Sequence, residues 1–364
     1  MSATIAASAR PPFWGGLWLI VTLELRQRVR GVAWYVLLGV FFVIVGLVTV
    51  LLWFATNALD SGGGGMFSTI IFFVLLLGSL VSPALSGNAI NGDRDSGVLA
   101  TTQVTLITTW QLVLGKFVAA WLTALAFLAA ALPFLLFAVV LGEVSFATVA
   151  VSTLVLALEL GMIAAIGVGL SGIQTRPLFS IVTTYLVIAA LSIGTLIVFS
   201  LAGLATQTMS TTSGEFDWDN APGDEANGGW PCTDPVVIES KVPRFDYYWG
   251  VLAANPYVVL ADAASGSFDE LGNPTDLFGW IATGVRSAQH APQPQTVSYE
   301  CAEGGYTGGV SGRYVAPEEL YNDAVPSWFV GLSIHLLLGA GALFWAYKRT
   351  DTPAKRLPTG SRVA

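Results

Sequence analysis

Two titratable side chains, Glu159 and His335, sit inside long apolar runs. A carboxyl surrounded by hydrocarbon is costly, so such a residue marks a functional position by default. Glu159 either faces a pathway or binds a cationic group, or it is a protonated or hydrogen-bonded carboxyl that joins two helices. His335 reads first as a satisfied structural histidine. Counted from the outer surface, the two differ in depth by about three residues' rise or more at about 1.5 Å per residue, which disfavours a direct pair. The remaining histidine is His290. No nucleophile–base pair accompanies these groups, so covalent hydrolysis has no visible site. The acidic group Asp217, Asp219, Asp224 and Glu225 has Pro222 and Gly228 where a calcium loop needs Gly and Glu, so no metal site is expected.

Cys232 and Cys301 are the two cysteines, and both fall in one late acidic segment. A disulfide between them is expected, because an external compartment permits it.

The elements that position these residues are apolar runs. The chain of 364 residues is 54% hydrophobic and 11% charged. Soluble domains carry about 25% charged residues, so the class is an all-α polytopic membrane protein. Six runs are long enough to span: 34–56, 67–90, 112–141, 146–171, 178–203 and 327–347. The third is overlong, and Pro133 is expected to kink or tilt it. Gly161, Ala165 and Gly169 recur at four-residue spacing in the fourth, a packing stripe within the chain or a dimer seam.

Orientation is set by Lys and Arg in the short segments. The N-terminal arm 1–33, loop 91–111, Lys116, the connector at Arg176 and the tail 348–364 hold 12 of the 16 basic residues. Those segments all lie on one side, which makes both termini cytoplasmic in a plasma (cytoplasmic) membrane of prokaryotic type. Segment 204–326 holds 17 of the 24 acidic residues and ten of the 17 prolines. It is expected to be a large, loop-rich extracellular insertion between spans five and six. Residues 247–263 within it are apolar enough to re-enter the membrane.

Two cytoplasmic elements remain. Trp14, Trp18, Val21, Leu25 and Val29 form a helical stripe before the first span, with Glu24, Arg26, Arg28 and Arg30 gathered toward its end. This is either an interfacial amphipathic helix or a basic anchor. Loop 91–111 begins with Asp93, Arg94, Asp95, Ser96 and Gly97, followed by a short apolar helix from Val98 and Leu99. By itself it is a connector with capping residues.

Together these elements resemble the permeases of type-2 ABC transporters, mostly exporters. That family has an elbow helix with Glu and Arg before span one. Its loop between spans two and three has the form Arg-Glu-x-Gly-Thr-Leu, with Gly-Lys some fifteen to twenty residues later. Arg94, Asp95, Gly97, Val98, Leu99, Gly115 and Lys116 occupy those positions, with Asp95 and Val98 as departures. Asn255-Pro256-Tyr257 resembles the family's Asn-Pro-aromatic segment on external gating helices, though here some sixty residues precede span six.

The resemblance implies an exporter permease coupled to a separate ABC ATP-binding subunit, which carries the ATP and Mg. Asp93, Arg94 and Asp95 would meet the rim of its cleft, and Val98, Leu99 and Leu106 its interior. The chain has no P-loop of its own, hence no cofactor and no catalytic residue. The other expected partners are a second permease chain, membrane lipid and an envelope partner at the extracellular segment, with no nucleic acid. The alternative readings are a membrane-embedded enzyme and a non-transporting envelope or sensory subunit.

Overall fold

A computed structural model describes residues 12–59, 64–103, 107–142, 144–216, 232–299, 301–302, 305–306 and 316–351. Six helical segments within it are long and apolar enough to cross a membrane, and the chain is a multi-pass membrane protein. They are built from α2 (Val32–Leu59), α3 (Gly64–Ser86), α6 (Thr109–Gly142), α7 (Phe146–Ile173), a composite fifth segment and α14 (Trp328–Thr350). The fifth consists of α8 (Pro177–Ala189), a π-helical turn (Ala190–Gly194) and α9 (Thr195–Ala205). Each lies within a few residues of its predicted run. Pro133 does not break α6, which continues through it to Gly142.

Local signals start and stop these helices. The Ser145 side chain accepts from the Thr148 amide and caps α7. Pro177 opens α8 at the first turn, where its missing N–H costs nothing. α3 and α7 are the most deeply buried spans, and their apolar side chains form the main core with those of α6. α2 and the fifth segment expose most of their apolar surface, as expected of helices facing lipid.

α7 and α14 run parallel in close contact. A Cβ on Gly169 would lie 2.5 Å from the Ala342 Cβ, and one on Gly172 would lie 2.5 Å from that of Ala346. Gly161 instead accommodates Trp121 of α6. The small-residue stripe is therefore occupied within the chain.

At one end of the bundle, the loop end, lie α1 (Phe13–Arg30), α4 (Asn91–Asp95) and α5 (Val98–Gln103). α1 packs on α6 through Leu17, Ile20 and Val21, leaving Trp14 and Trp18 exposed. The predicted stripe thus splits between two faces, because α6 and not water covers one side.

The other end, the insertion end, carries the described residues between 206 and 327, which are more regular than the loop-rich segment predicted. Strand β1 (Gln207–Phe216) pairs antiparallel with β2 (Cys232–Pro243) and parallel with β3 (Gln295–Tyr299). Helices α10 (Trp249–Ala253), α11 (Pro256–Ala263), α12 (Leu277–Ser287) and α13 (Pro317–Asp323) accompany the sheet. The strands escaped notice because Ser and Thr dominate β1, and α12 and α13 because each is too short to display several turns of periodicity, whereas α10 and α11 fall in the apolar run 247–263 singled out in the sequence. The pairing expected of Cys232 and Cys301 falls on side chains outside the described residues.

Candidate functional site

Three polar assemblies sit in this bundle. The first is at the loop end. Lys116 of α6 is 2% exposed and meets two carboxylates: Glu24 of α1 in a short ion pair, and Asp93 of α4 at 2.7 Å. Removing one member of such a cluster strands charge in a poorly solvated place. Gly115 precedes Lys116 because α1 crosses here: a Cβ would lie 2.9 Å from the Ile20 side chain. The Gly-Lys pair therefore combines close helix approach with a buried cation.

Arg94 turns inward. Its Nη1 donates to Asn91 Oδ1 at 3.1 Å and to the Gln174 carbonyl at 3.0 Å, where α7 ends. Arg28 does the same for α3, with Nη2 donating to the Leu85 carbonyl at 3.1 Å. Cations favour helix C-termini because unpaired carbonyls face outward there. Burial lowers the Arg28 pKa, and the charge of Glu24 opposes that shift.

Asp93 and Arg94 are thus engaged within the chain, whereas Asp95, Ser96, Gly97 and Val98 form an exposed knuckle between α4 and α5. Gly97 holds φ at +75°, which a side chain resists. Leu99 is buried with Ile20 and Leu112, so it seats α5 on α1 and α6 and is closed to an outside partner. Leu106 lies outside the described residues. Arg26 and Arg30 are exposed.

The second assembly runs through the core. His335 Nδ1 lies 2.9 Å from both carboxylate oxygens of Glu159, and its Nε2 lies 2.9 Å from the Ala254 carbonyl. Both side chains are 2% exposed. The pair forms despite the mismatch in depth expected from the sequence. α14 begins deeper than α7: Gly339 packs on Ala165 and Ala342 on Gly169, an offset that sets Trp328 level with Leu154 in the third turn of α7. Residues Pro256–Ala263 fill the space above. A carbonyl only accepts, so Nε2 carries a proton. The contact between Nδ1 and Glu159 then holds one more, on either partner, and the pair is neutral overall.

The chain of contacts continues from Ala254 to its neighbour Asn255, which is 1% exposed. Asn255 Oδ1 accepts from the Tyr257 amide and caps α11. Its Nδ2 donates to the Ser192 carbonyl at 2.6 Å and to Thr195 Oγ1 at 3.0 Å, at the π turn of the fifth segment. Such turns widen a helix and disturb its regular bonding. Pro256 starts α11, and the Tyr257 ring stacks near Phe72 of α3. Burial raises the Tyr257 pKa, opposed by a bond to the Ser79 hydroxyl.

The third assembly was missed in the sequence. Asp262, at the end of α11, is fully buried and pairs with Arg286 of α12 at 2.6 Å. Its second oxygen accepts from the Ser327 amide, from Ser327 Oγ at 2.9 Å and from the Trp328 amide at 3.0 Å, where α14 starts. Arg286 also donates to the Tyr321 carbonyl at 2.8 Å and lies over that ring, 3.8 Å from its centroid. The available signal was a single charge in each of two apolar stretches.

No protein-family model matches the chain, and no curated protein matches it.

Proposed function

We propose that the chain is the membrane-spanning permease subunit of an ATP-driven ABC exporter. The observation that carries this reading is the exposed knuckle Asp95–Val98, held to α1 and α6 by the buried Lys116 and its half-buried partners Glu24 and Asp93. A loop that only connected two spans would not need a buried lysine paired with two carboxylates at its base. A loop that receives force must be rigid at its base and open at its tip. α1 serves as the elbow helix, with Trp14 and Trp18 in lipid at the interface. The loop end faces the cytoplasm, where the ATP-binding subunit with its ATP and Mg docks on the knuckle. Residues 204–326 are extracellular, with α10 and α11 above the exit and an envelope partner beyond. A second permease chain completes the pathway.

The polar chain gives this reading a route for force. Glu159 and His335 tie α7 and α14 to Ala254, and Asn255 ties the same corner to the fifth segment. Movement of any of these spans strains the outer helices through hydrogen bonds.

The test begins with purification of the tagged full-length chain in mild detergent and identification of what copurifies. An ATPase bearing Walker motifs is expected. In vesicles containing both proteins, Asp95→Lys should uncouple ATP hydrolysis from export by tenfold or more, with expression unchanged. Absence of any ATPase under several mild conditions, or full coupling in Asp95→Lys, overturns the assignment.

A further inference from the structure

A cleft of about 570 Å³ opens between α3, the fifth segment and α11. Its volume lies within the range of about 300–1,000 Å³ typical of small-molecule sites. Three observations restrict its occupant.

The first is charge. No charged side chain lines the cleft among the described residues. A phosphate or carboxylate placed here would lose its water and meet no cation, at a cost that would dominate binding.

The second is access. Leu80 of α3 and Ile193 and Leu196 of the fifth segment are about half exposed on the flank of the bundle, on segments that cross the membrane. The mouth therefore faces hydrocarbon, and a ligand arrives from within the bilayer.

The third is hydrogen bonding. The Tyr185 hydroxyl donates to the Leu80 carbonyl at 2.6 Å, and Ser79 Oγ donates to the Leu76 carbonyl at 2.7 Å. Both polar ends of Asn255 are engaged. Ser192 Oγ is buried on the same wall with no partner among the described residues. The wall is thus almost wholly apolar at its surface, with the unpartnered Ser192 hydroxyl just beneath it.

We infer that this cleft binds an uncharged lipid-like molecule, with a long hydrocarbon body and a single hydroxyl or carbonyl that meets Ser192. A charged head is excluded from the cleft, as are glycans, whose many hydroxyls would go unpaired. The inference deepens the exporter reading by naming its substrate class, and it rests on that reading for the export of the bound molecule. Asn255 forms part of the cleft wall and also belongs to the polar chain, so occupancy and the position of α10 and α11 are physically linked.

The experiment uses the full-length chain in phosphatidylcholine vesicles without any ATPase. A photoreactive long-chain alcohol is the probe, and labelled peptides are mapped. Labelling should concentrate on residues 76–80 and 185–196. Excess unlabelled long-chain alcohol should compete at least tenfold better than the corresponding alkyl phosphate. Ala189→Trp, which fills the cleft from an exposed position, should reduce labelling fivefold or more. Ser192→Ala, which removes only the hydroxyl, should weaken it severalfold. Equal competition by the alkyl phosphate, labelling spread evenly over the lipid-facing surface, or crosslinks joining two copies through the cleft would each overturn the inference. Because no ATPase takes part, failure here leaves the copurification result untouched, and failure to find an ATPase leaves the cleft's ligand class standing.

Discussion

Lys116 illustrates what a single residue contributes. It pairs with Glu24 and Asp93 while almost fully buried, so Lys116→Met leaves two carboxylates without their cation. A loss of about 1–3 kcal/mol is expected, read as a fall in the heat-unfolding midpoint in detergent. Adding Asp93→Asn should recover part of it, since one stranded charge is removed; no change in midpoint for Lys116→Met would show that the cluster is not stabilising. Glu159 allows a finer test. Glu159→Gln keeps a donor for His335 Nδ1 and should cost little. Glu159→Leu leaves that nitrogen without its partner, at about 1–3 kcal/mol. Equal midpoints for the two variants would contradict the pairing.

Among the elements, the junction of α10 and α11 with the fifth segment is the most informative. Asn255 Nδ2 reaches the π turn, so Asn255→Ala releases the Ser192 carbonyl and removes the cap of α11 together. Faster amide exchange is expected across 249–263 and 190–196, with little change in α6. Confinement of the change to 255–257 would show that the π turn is held by its own helix. The α4–α5 knuckle depends on backbone conformation. Gly97→Ala should cost about 1–2 kcal/mol locally because φ is positive there, seen as faster protease cleavage of the loop. An unchanged cleavage rate would show that the loop adopts the strained conformation without penalty.

For the whole molecule, sidedness is tested by cysteine labelling of intact cells. On a Cys232→Ser, Cys301→Ser background, Glu270→Cys should react with an impermeant thiol reagent, and Ser96→Cys should react only after the cells are opened. Both positions are exposed, at opposite ends of the bundle. Reaction of Ser96→Cys in intact cells would invert the topology and remove the cytoplasmic docking of the ATPase. In the native chain, Cys232 and Cys301 should label only after reduction if they are paired.

The six crossings were legible because spanning depends on local, summed hydropathy over about twenty residues, which neighbours in space hardly alter. The short helix from Val98 was legible for the same local reason. Partner choice was not. Lys116 looked like the inner end of a span, and nothing in its neighbourhood announces Glu24, 92 residues earlier. Leu99 looked available to a partner, but α1 folds back over it. Glu159 and His335 seemed too far apart in depth, since the count assumed that α7 and α14 begin level. Their offset is decided by Gly169 and Gly172 seating Ala342 and Ala346, and by α11 filling the space above α14. Asp262 and Arg286 find each other across 24 residues in the same way. The sequence by itself determined how many times the chain crosses and where each crossing starts and stops, because insertion free energy accumulates residue by residue along the chain. Only the tertiary structure decided which buried polar groups meet, because that depends on how far each helix slides against its neighbour, and the sliding is set by contacts between residues distant in the chain.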